Sequence, residues 1–339
     1  VTEETTDRRY DLDWLRVIAV FLLIVYHCAI TFQPWAAKIS FIQNSQSATH
    51  IWTLMSALNV WRIPLVFLIS GFAFAASIRR RSPGEMIRDR ASRILLPAIF
   101  TTLILTPVHY ALFQVESGFP VSYRAEPAHV WFLYNIFIYA MLAVIPLNHV
   151  KHEITIPAII ILLVLPAMFV VEAAVIQPER YANFYLTTHG FVLGLAAFVF
   201  GIFLAYAAES VWQLLSRWFL VFLIIATGLY LARISSIVMV WPTVITAIEA
   251  SCWIFAVLGV GNRYLNTPSG LLSLLGQSVY PVYLVHMIFM YAVNTQLITL
   301  ALSPEIKFCL LVVMTVFLSF GAFLVLRPIP FVKTLFGMK

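Results

Sequence analysis

His27, Arg62, Glu249 and His286 are side chains that water normally holds, yet each falls inside a stretch apolar enough to lie in lipid. A histidine takes up and returns protons near neutral pH and can carry an acyl group. A buried arginine or tyrosine can hold developing negative charge. His27 ends the run D-L-D-W-L-R-V-I-A-V-F-L-L-I-V-Y-H-C, residues 11–28, and Arg16 precedes it by eleven positions. That spacing is about three helical turns, so the two side chains share a face roughly 16 Å apart along the axis. Asp13 and Thr31 extend the stripe. A polar stripe on a membrane helix faces protein or water, so this face lines an interior cavity with His27 past the midpoint. The competing role for His27 is an interhelical hydrogen bond. Cys28 adjoins it but points about 100° away, which argues against a Cys/His catalytic pair.

In N-V-W-R-I-P-L-V-F-L-I-S-G, residues 59–71, Arg62 lies at hydrocarbon depth. A central arginine costs about 2.5–3.5 kcal/mol even on the mildest scales, so a partner is required. Glu249 is the best-placed carboxylate and Glu172 the second; the expectation is an Arg62–Glu249 pair. Ser70 is a weak nucleophile candidate without an identified base, and Gly71 permits close helix approach. Arg90 and Arg93, three apart and therefore on one helical face, offer paired planar forks that suit phosphate. Membrane anchoring explains Arg79, Arg80 and Arg81 more simply. G-Q-S-V-Y-P-V-Y-L-V-H carries Tyr280, Tyr283 and His286, with Tyr283 and His286 on one face. H-V-W-F-L, residues 129–133, reads as an interfacial aromatic anchor, as does the surround of His189. His109, His149 and His152 give no specific signal.

The elements that must position these residues are membrane helices. Of 339 residues 62% are hydrophobic and 11% charged, with a mean hydropathy of +0.93, more apolar surface than a water-soluble core absorbs. Runs of about 20 apolar residues predict about ten transmembrane helices. They lie near residues 14–33, 51–76, 94–115, 129–147, 155–175, 189–208, 218–232, 237–259, 272–297 and 306–326, the seventh being short. The fold class is an all-α polytopic bundle forming a single domain over 1–339, and the first span is a retained anchor. Lys plus Arg outnumber Asp plus Glu by 21 to 15. With both termini cytoplasmic, the outer segments hold only Lys38, Arg124, Arg180, Arg233 and Lys307, which supports that orientation. The surplus fits anionic lipid and excludes any need for nucleic acid. Three cysteines, all in apolar runs, give neither a disulfide framework nor a metal spacing, so no metal is expected.

Taken in order, Arg16 with His27, R-I-P-L followed by F-L-I-S-G, R-x-x-R at Arg90 and Arg93, H-V-W-F-L, and S-V-Y-P-V-Y-L-V-H resemble the acyltransferase-3 family of integral membrane acyltransferases. The opening Y-D-L-D-W-L-R further resembles the branch that includes the succinyltransferase of osmoregulated periplasmic glucans. The resemblance implies transfer of an acyl group, succinyl or acetyl, from cytoplasmic acyl-CoA to a hydroxyl of an extracytoplasmic glycan, in a bacterial inner membrane. It implies His27 as general base or acyl carrier and Arg16, Arg90 and Arg93 as holders of the coenzyme A phosphates. Arg62, Tyr283 and Glu249 complete the expected catalytic set, and His286, Ser70 and Trp131 the acceptor contacts. For a succinyl donor, Arg62, Arg124 or Arg180 would meet the distal carboxylate. A small-molecule acceptor and a homo-oligomeric assembly stay open. The rival class is a proton-coupled transporter using His27, Arg62, Glu249 and His286 as a relay, or a glycan or lipid flippase.

Overall fold

The computed structural model describes residues 8–78, 81–148, 157–235 and 241–338. In chain order the helices are α1 (Tyr10–Ile30), α2 (Ile51–Asn59), α3 (Arg62–Ile78), α4 (Pro83–Arg90), α5 (Leu96–Phe100), α6 (Thr106–Glu116), α7 (Trp131–Asn148), α8 (Ala158–Ile176), α9 (Thr188–Ala205), α10 (Glu209–Ile234), α11 (Thr243–Tyr264), α12 (Gly270–Ile298), α13 (Pro304–Leu326) and α14 (Pro330–Leu335). Two π-helical turns, Ala91–Leu95 and Thr101–Leu105, join α4, α5 and α6 into one long rod. Among the described residues there are no strands, and ten helical segments are long and apolar enough to cross a membrane. The all-α polytopic fold and the span number agree with the sequence reading.

Several boundaries differ. The seventh span runs over Glu209–Ile234 rather than 218–232, because Glu209, Arg217 and Arg233 lower the local hydropathy without interrupting the helix. The third begins at Pro83, so Arg90 and Arg93 lie on the membrane rod itself. Arg62 is the first residue of α3, after a break at Val60 and Trp61, rather than mid-helix. Arg79, Arg80, Lys151, His149 and His152 lie outside the described residues.

The chain divides into two compact units assembled from separated segments. Unit 1 comprises residues 1–19, 59–86 and 139–276; unit 2 comprises 20–58, 87–138 and 277–339. Within unit 1, α3 packs along α9 and α10 along α11. The first contact is backbone-close: a Cβ on Gly71 would overlap the Phe198 carbonyl, and one on Gly201 the Leu68 carbonyl. Without a hydrophobic driving force between helices in lipid, such close approach supplies the dispersion contacts that hold them. Within unit 2, Tyr283, Leu284 and Val285 of α12 pack with Val130 and Leu133 at the start of α7 and Ala98 of α5. Local signals fix the helix starts: Ser303 caps α13 by accepting from the Ile306 amide, with Pro304 behind it, and Thr187 caps α9 through the Gly190 amide.

Candidate functional site

Unit 2 gathers four histidines from remote parts of the chain. His27, half-buried near the C-terminal end of α1, places Nδ1 2.8 Å from Nε2 of His286, with the two rings parallel to within 4°. His286 is fully buried, and its Nδ1 lies 2.6 Å from the Tyr283 carbonyl oxygen. A carbonyl only accepts, so His286 Nδ1 carries a hydrogen. Among the described residues no carboxylate pairs with His286, and a buried lone imidazolium is costly, so the ring is neutral and its Nε2 bears the lone pair. His27 Nδ1 therefore donates to it. The lone pair of His27 is thereby assigned to Nε2, the nitrogen on the far side of the ring.

His129 stands perpendicular to His286, ring centres 5.1 Å apart and planes at 84°. Its Nε2 donates to the Leu284 carbonyl at 3.3 Å, while the Tyr283 hydroxyl donates to the His129 carbonyl at 2.5 Å. These reciprocal bonds clamp the start of α7 onto α12. His109 lies 5.9 Å from His129 and 5.2 Å from Tyr291, ring to ring. Over this group folds the segment between α1 and α2. Tyr291 donates to the Ser40 carbonyl at 2.6 Å and Asn294 Nδ2 to the Ile42 carbonyl at 2.8 Å, which sets Phe41 against the His27 ring, 5.9 Å between centres. Beside His27, Tyr26 packs on Trp52 and Trp35 meets Trp52 edge-on, all three half-exposed.

The site thus unites His27, His286 and Tyr283, all expected, with His129 and His109, which were not. His129 is buried among other imidazoles rather than serving as an interfacial anchor. The Tyr283 hydroxyl is spent on a backbone carbonyl, which removes it as the expected oxyanion donor. Trp131 is buried two residues beyond His129.

Other expected residues have structural employment in unit 1. Glu249, fully buried, is held in a two-pronged pair by Arg233, Nε to Oε2 at 2.7 Å and Nη2 to Oε1 at 2.9 Å, and Trp253 Nε1 lies 3.4 Å from Oε1. Glu249, the carboxylate expected for Arg62, is thus bonded by Arg233, which the sequence reading did not pair with it. The second candidate, Glu172, sits 2.7 Å from His189 Nδ1, and His189 Nε2 donates to the Tyr181 carbonyl at 2.7 Å, so His189 is buried rather than interfacial. Burial, reinforced by the Glu172 and Glu249 carboxylates, holds the Tyr181 phenol well above its ordinary range. Ser70 Oγ donates to the Val66 carbonyl one turn back, an ordinary helix bond that gives it no base. Arg62 is 1% exposed.

Two of the three arginines expected at phosphate, Arg16 and Arg93, remain accessible. Arg16 is 44% exposed and lies 3.6 Å from Asp13; Arg93 is 40% exposed and bonds Asp89 at 2.8 Å. The π-helical turn that begins at Ala91 alters the angular step between Arg90 and Arg93, so their α-helical facing does not hold. Among the described residues no group of acids, histidines and cysteines could hold a metal ion.

Ten apolar helical segments with a paired-histidine centre define an integral membrane protein. The family model described as "Acyltransferase domain", that of the acyltransferase-3 family, matches residues 9–324, so the chain belongs to that family and is a membrane acyltransferase. No curated protein and no solved structure matches it in the corresponding comparisons. Membership in a family of acyltransferases removes the ground for the transporter and flippase alternatives.

Proposed function

We propose that the protein transfers an acyl group from cytoplasmic acyl-CoA to a hydroxyl of an extracytoplasmic glycan in a bacterial inner membrane, with His27 as general base. The observation that carries this reading is the His27–His286 pair, which leaves the lone pair of His27 on Nε2. Nε2 takes the proton of the acceptor hydroxyl as its oxygen attacks the thioester carbonyl. The tetrahedral adduct then collapses, the carbon–sulfur bond breaks, and the imidazolium returns the proton to the departing thiolate. During these steps His286 accepts the Nδ1 hydrogen bond and holds the ring in place, much as the carboxylate does in a hydrolase triad. The general-base route is preferred to an acyl-histidine, because acylating Nε2 would leave the incoming hydroxyl without the base.

Arg16, Arg90 and Arg93, the phosphate holders the family resemblance implies, are the proposed contacts for coenzyme A, and Arg16 and Arg93 are well exposed. The half-exposed rings of Tyr26, Trp35 and Trp52 next to His27 suit the apolar face of a sugar ring. The segment 31–50 around them contains no acidic residue and many uncharged hydrogen-bonding ones, which fits a neutral or anionic acceptor. Arg62, with Arg124 or Arg180 as alternatives, is the cation proposed for a succinyl carboxylate. Selective loss of succinyl over acetyl transfer in Arg62→Met would support that choice, and equal losses would remove it.

The deciding experiment is mass spectrometry of periplasmic and surface glycans from cells with the intact gene, a deletion, or His27→Ala at matched membrane levels. An ester mass shift present only with the intact protein is expected. Persistent modification in His27→Ala would overturn the mechanism.

A further inference from the structure

In unit 1 a groove of about 470 Å³ runs between α8 and α9, lined by Met168, Val171 and Val175 of the first helix and Val192 and Ala196 of the second. Val171 is 60% and Val175 73% exposed, so in a membrane the groove opens onto hydrocarbon. Glu172 is the one polar side chain among its lining residues, and it is 5% exposed. Its Oε1 meets His189 Nδ1 at 2.7 Å, but among the described residues its Oε2 has no hydrogen-bond partner. The buried phenol of Tyr181, edge-on to the His189 ring with centres 5.2 Å apart, has none either. Buried polar atoms are nearly always satisfied, and hydrocarbon supplies no water to do it.

The proton count of the pair limits what can. His189 Nε2 lies 2.7 Å from the Tyr181 carbonyl oxygen, so it carries a hydrogen. One further proton must lie between Nδ1 and Oε1, because two lone pairs do not meet at 2.7 Å. Held by nitrogen, it makes an imidazolium–carboxylate pair; held by oxygen, a neutral imidazole and a neutral acid. Either way the charges sum to zero and Oε2 is left as an acceptor. An anionic head would face a lone pair, and a cationic head would bring an unneutralised charge into an apolar groove. An uncharged hydroxyl fits, since it gives a hydrogen to Oε2 and can accept one from the Tyr181 phenol. We propose that the groove binds a long-chain lipid alcohol, its single chain along the valines and its hydroxyl on Glu172 Oε2. The volume is that of a site for one such molecule. The groove belongs to unit 1 and the imidazole centre to unit 2, so this binding does not rest on the acyl-transfer reading.

The test uses the full chain in lipid nanodiscs and a hexadecanol carrying a diazirine on its chain, with cross-linked peptides read by mass spectrometry. Labelling within 167–176 and 192–196 is expected. Hexadecanol should compete about tenfold better than its methyl ether, which has the chain but no hydrogen to give. Glu172→Gln keeps the acceptor, because its amide can donate to His189 Nδ1 while its oxygen takes the place of Oε2, so the preference should persist. Glu172→Met removes the acceptor, and the preference should vanish. Ala196→Leu fills the groove with the carboxyl group intact and should abolish labelling, which keeps the test decisive if Glu172→Met does not accumulate. Equal competition by alcohol and ether in the unaltered protein would overturn the proposal and leave a plain hydrocarbon groove. Stronger competition by hexadecylammonium or hexadecanoate would overturn it too, since the pair would then carry charge. Unchanged labelling in Ala196→Leu would place the alcohol elsewhere.

Discussion

The hydrogen that His286 Nδ1 gives to the Tyr283 carbonyl sets the polarity of the whole imidazole pair, and substitutions at its two ends should fail differently. His27→Ala removes the base and should lower turnover by about 10²–10⁴-fold with the protein still folded. His286→Phe keeps the base but not its support; a loss of about 10- to 100-fold in kcat with little change in KM is expected. His286→Gln, which keeps an acceptor near Nε2, should regain much of that loss. Equal activity of the Phe and Gln variants in a thiol-release assay would show that the pairing does not orient His27. Residue type and depth in the sequence are enough to single out His27, Tyr283 and His286, because a polar group in an apolar helix is conspicuous by itself. His129 and His109 are not legible that way. His129 sits at a helix start where aromatic anchors are common, and its place among the other histidines depends on Leu284, 155 positions away. The Arg233–Glu249 bond was missed for a related reason: depth matched Glu249 to Arg62, whereas Arg233, 16 positions upstream, bonds it.

At the scale of elements, hydropathy alone is enough to count the spans, since lipid demands a continuous apolar length. It is not enough to follow the rod from α4 to α6. Each π-helical turn there departs from the 3.6-residue period, so facing relations read along an ideal helix lose register before His109. Leu103, within the second of these turns, accepts from the Tyr123 hydroxyl, and Thr102 bonds Tyr134, so the irregular stretch is tied to its own unit. The α3–α9 contact yields a sharp expectation. Gly201→Leu would drive a side chain into the Leu68 carbonyl and should abolish stable accumulation, whereas Gly228→Leu, with open space at its Cβ, should be tolerated. Detergent-solubilised yield and melting temperature compare them. For the Arg233–Glu249 pair, Arg233→Met alone should destabilise by about 3 kcal/mol, because it strands a buried carboxylate. The double change with Glu249→Leu should recover most of that, and a double no more stable than the single would refute a purely structural pair.

For the whole molecule, the proposed orientation makes the loops testable without catalysis. With both termini cytoplasmic, a C-terminal fluorescent fusion should be bright and a C-terminal alkaline phosphatase fusion silent. A cysteine at Thr49 should label from outside in intact cells; labelling only after lysis would invert the topology and the direction of transfer. The assembly of unit 2 from separated segments of the chain also has a consequence for biosynthesis. His27 emerges among the first residues made, but its partner follows 259 positions later and belongs to the last third of the chain. At about 5–20 residues per second, translation separates the two imidazoles by roughly 10–50 s. Throughout that interval the nascent protein already sits in the bilayer with its first helix in place and no assembled centre. Premature termination anywhere before α12 therefore yields a membrane-inserted product without the imidazole pair, so a truncated chain cannot transfer an acyl group by the proposed route.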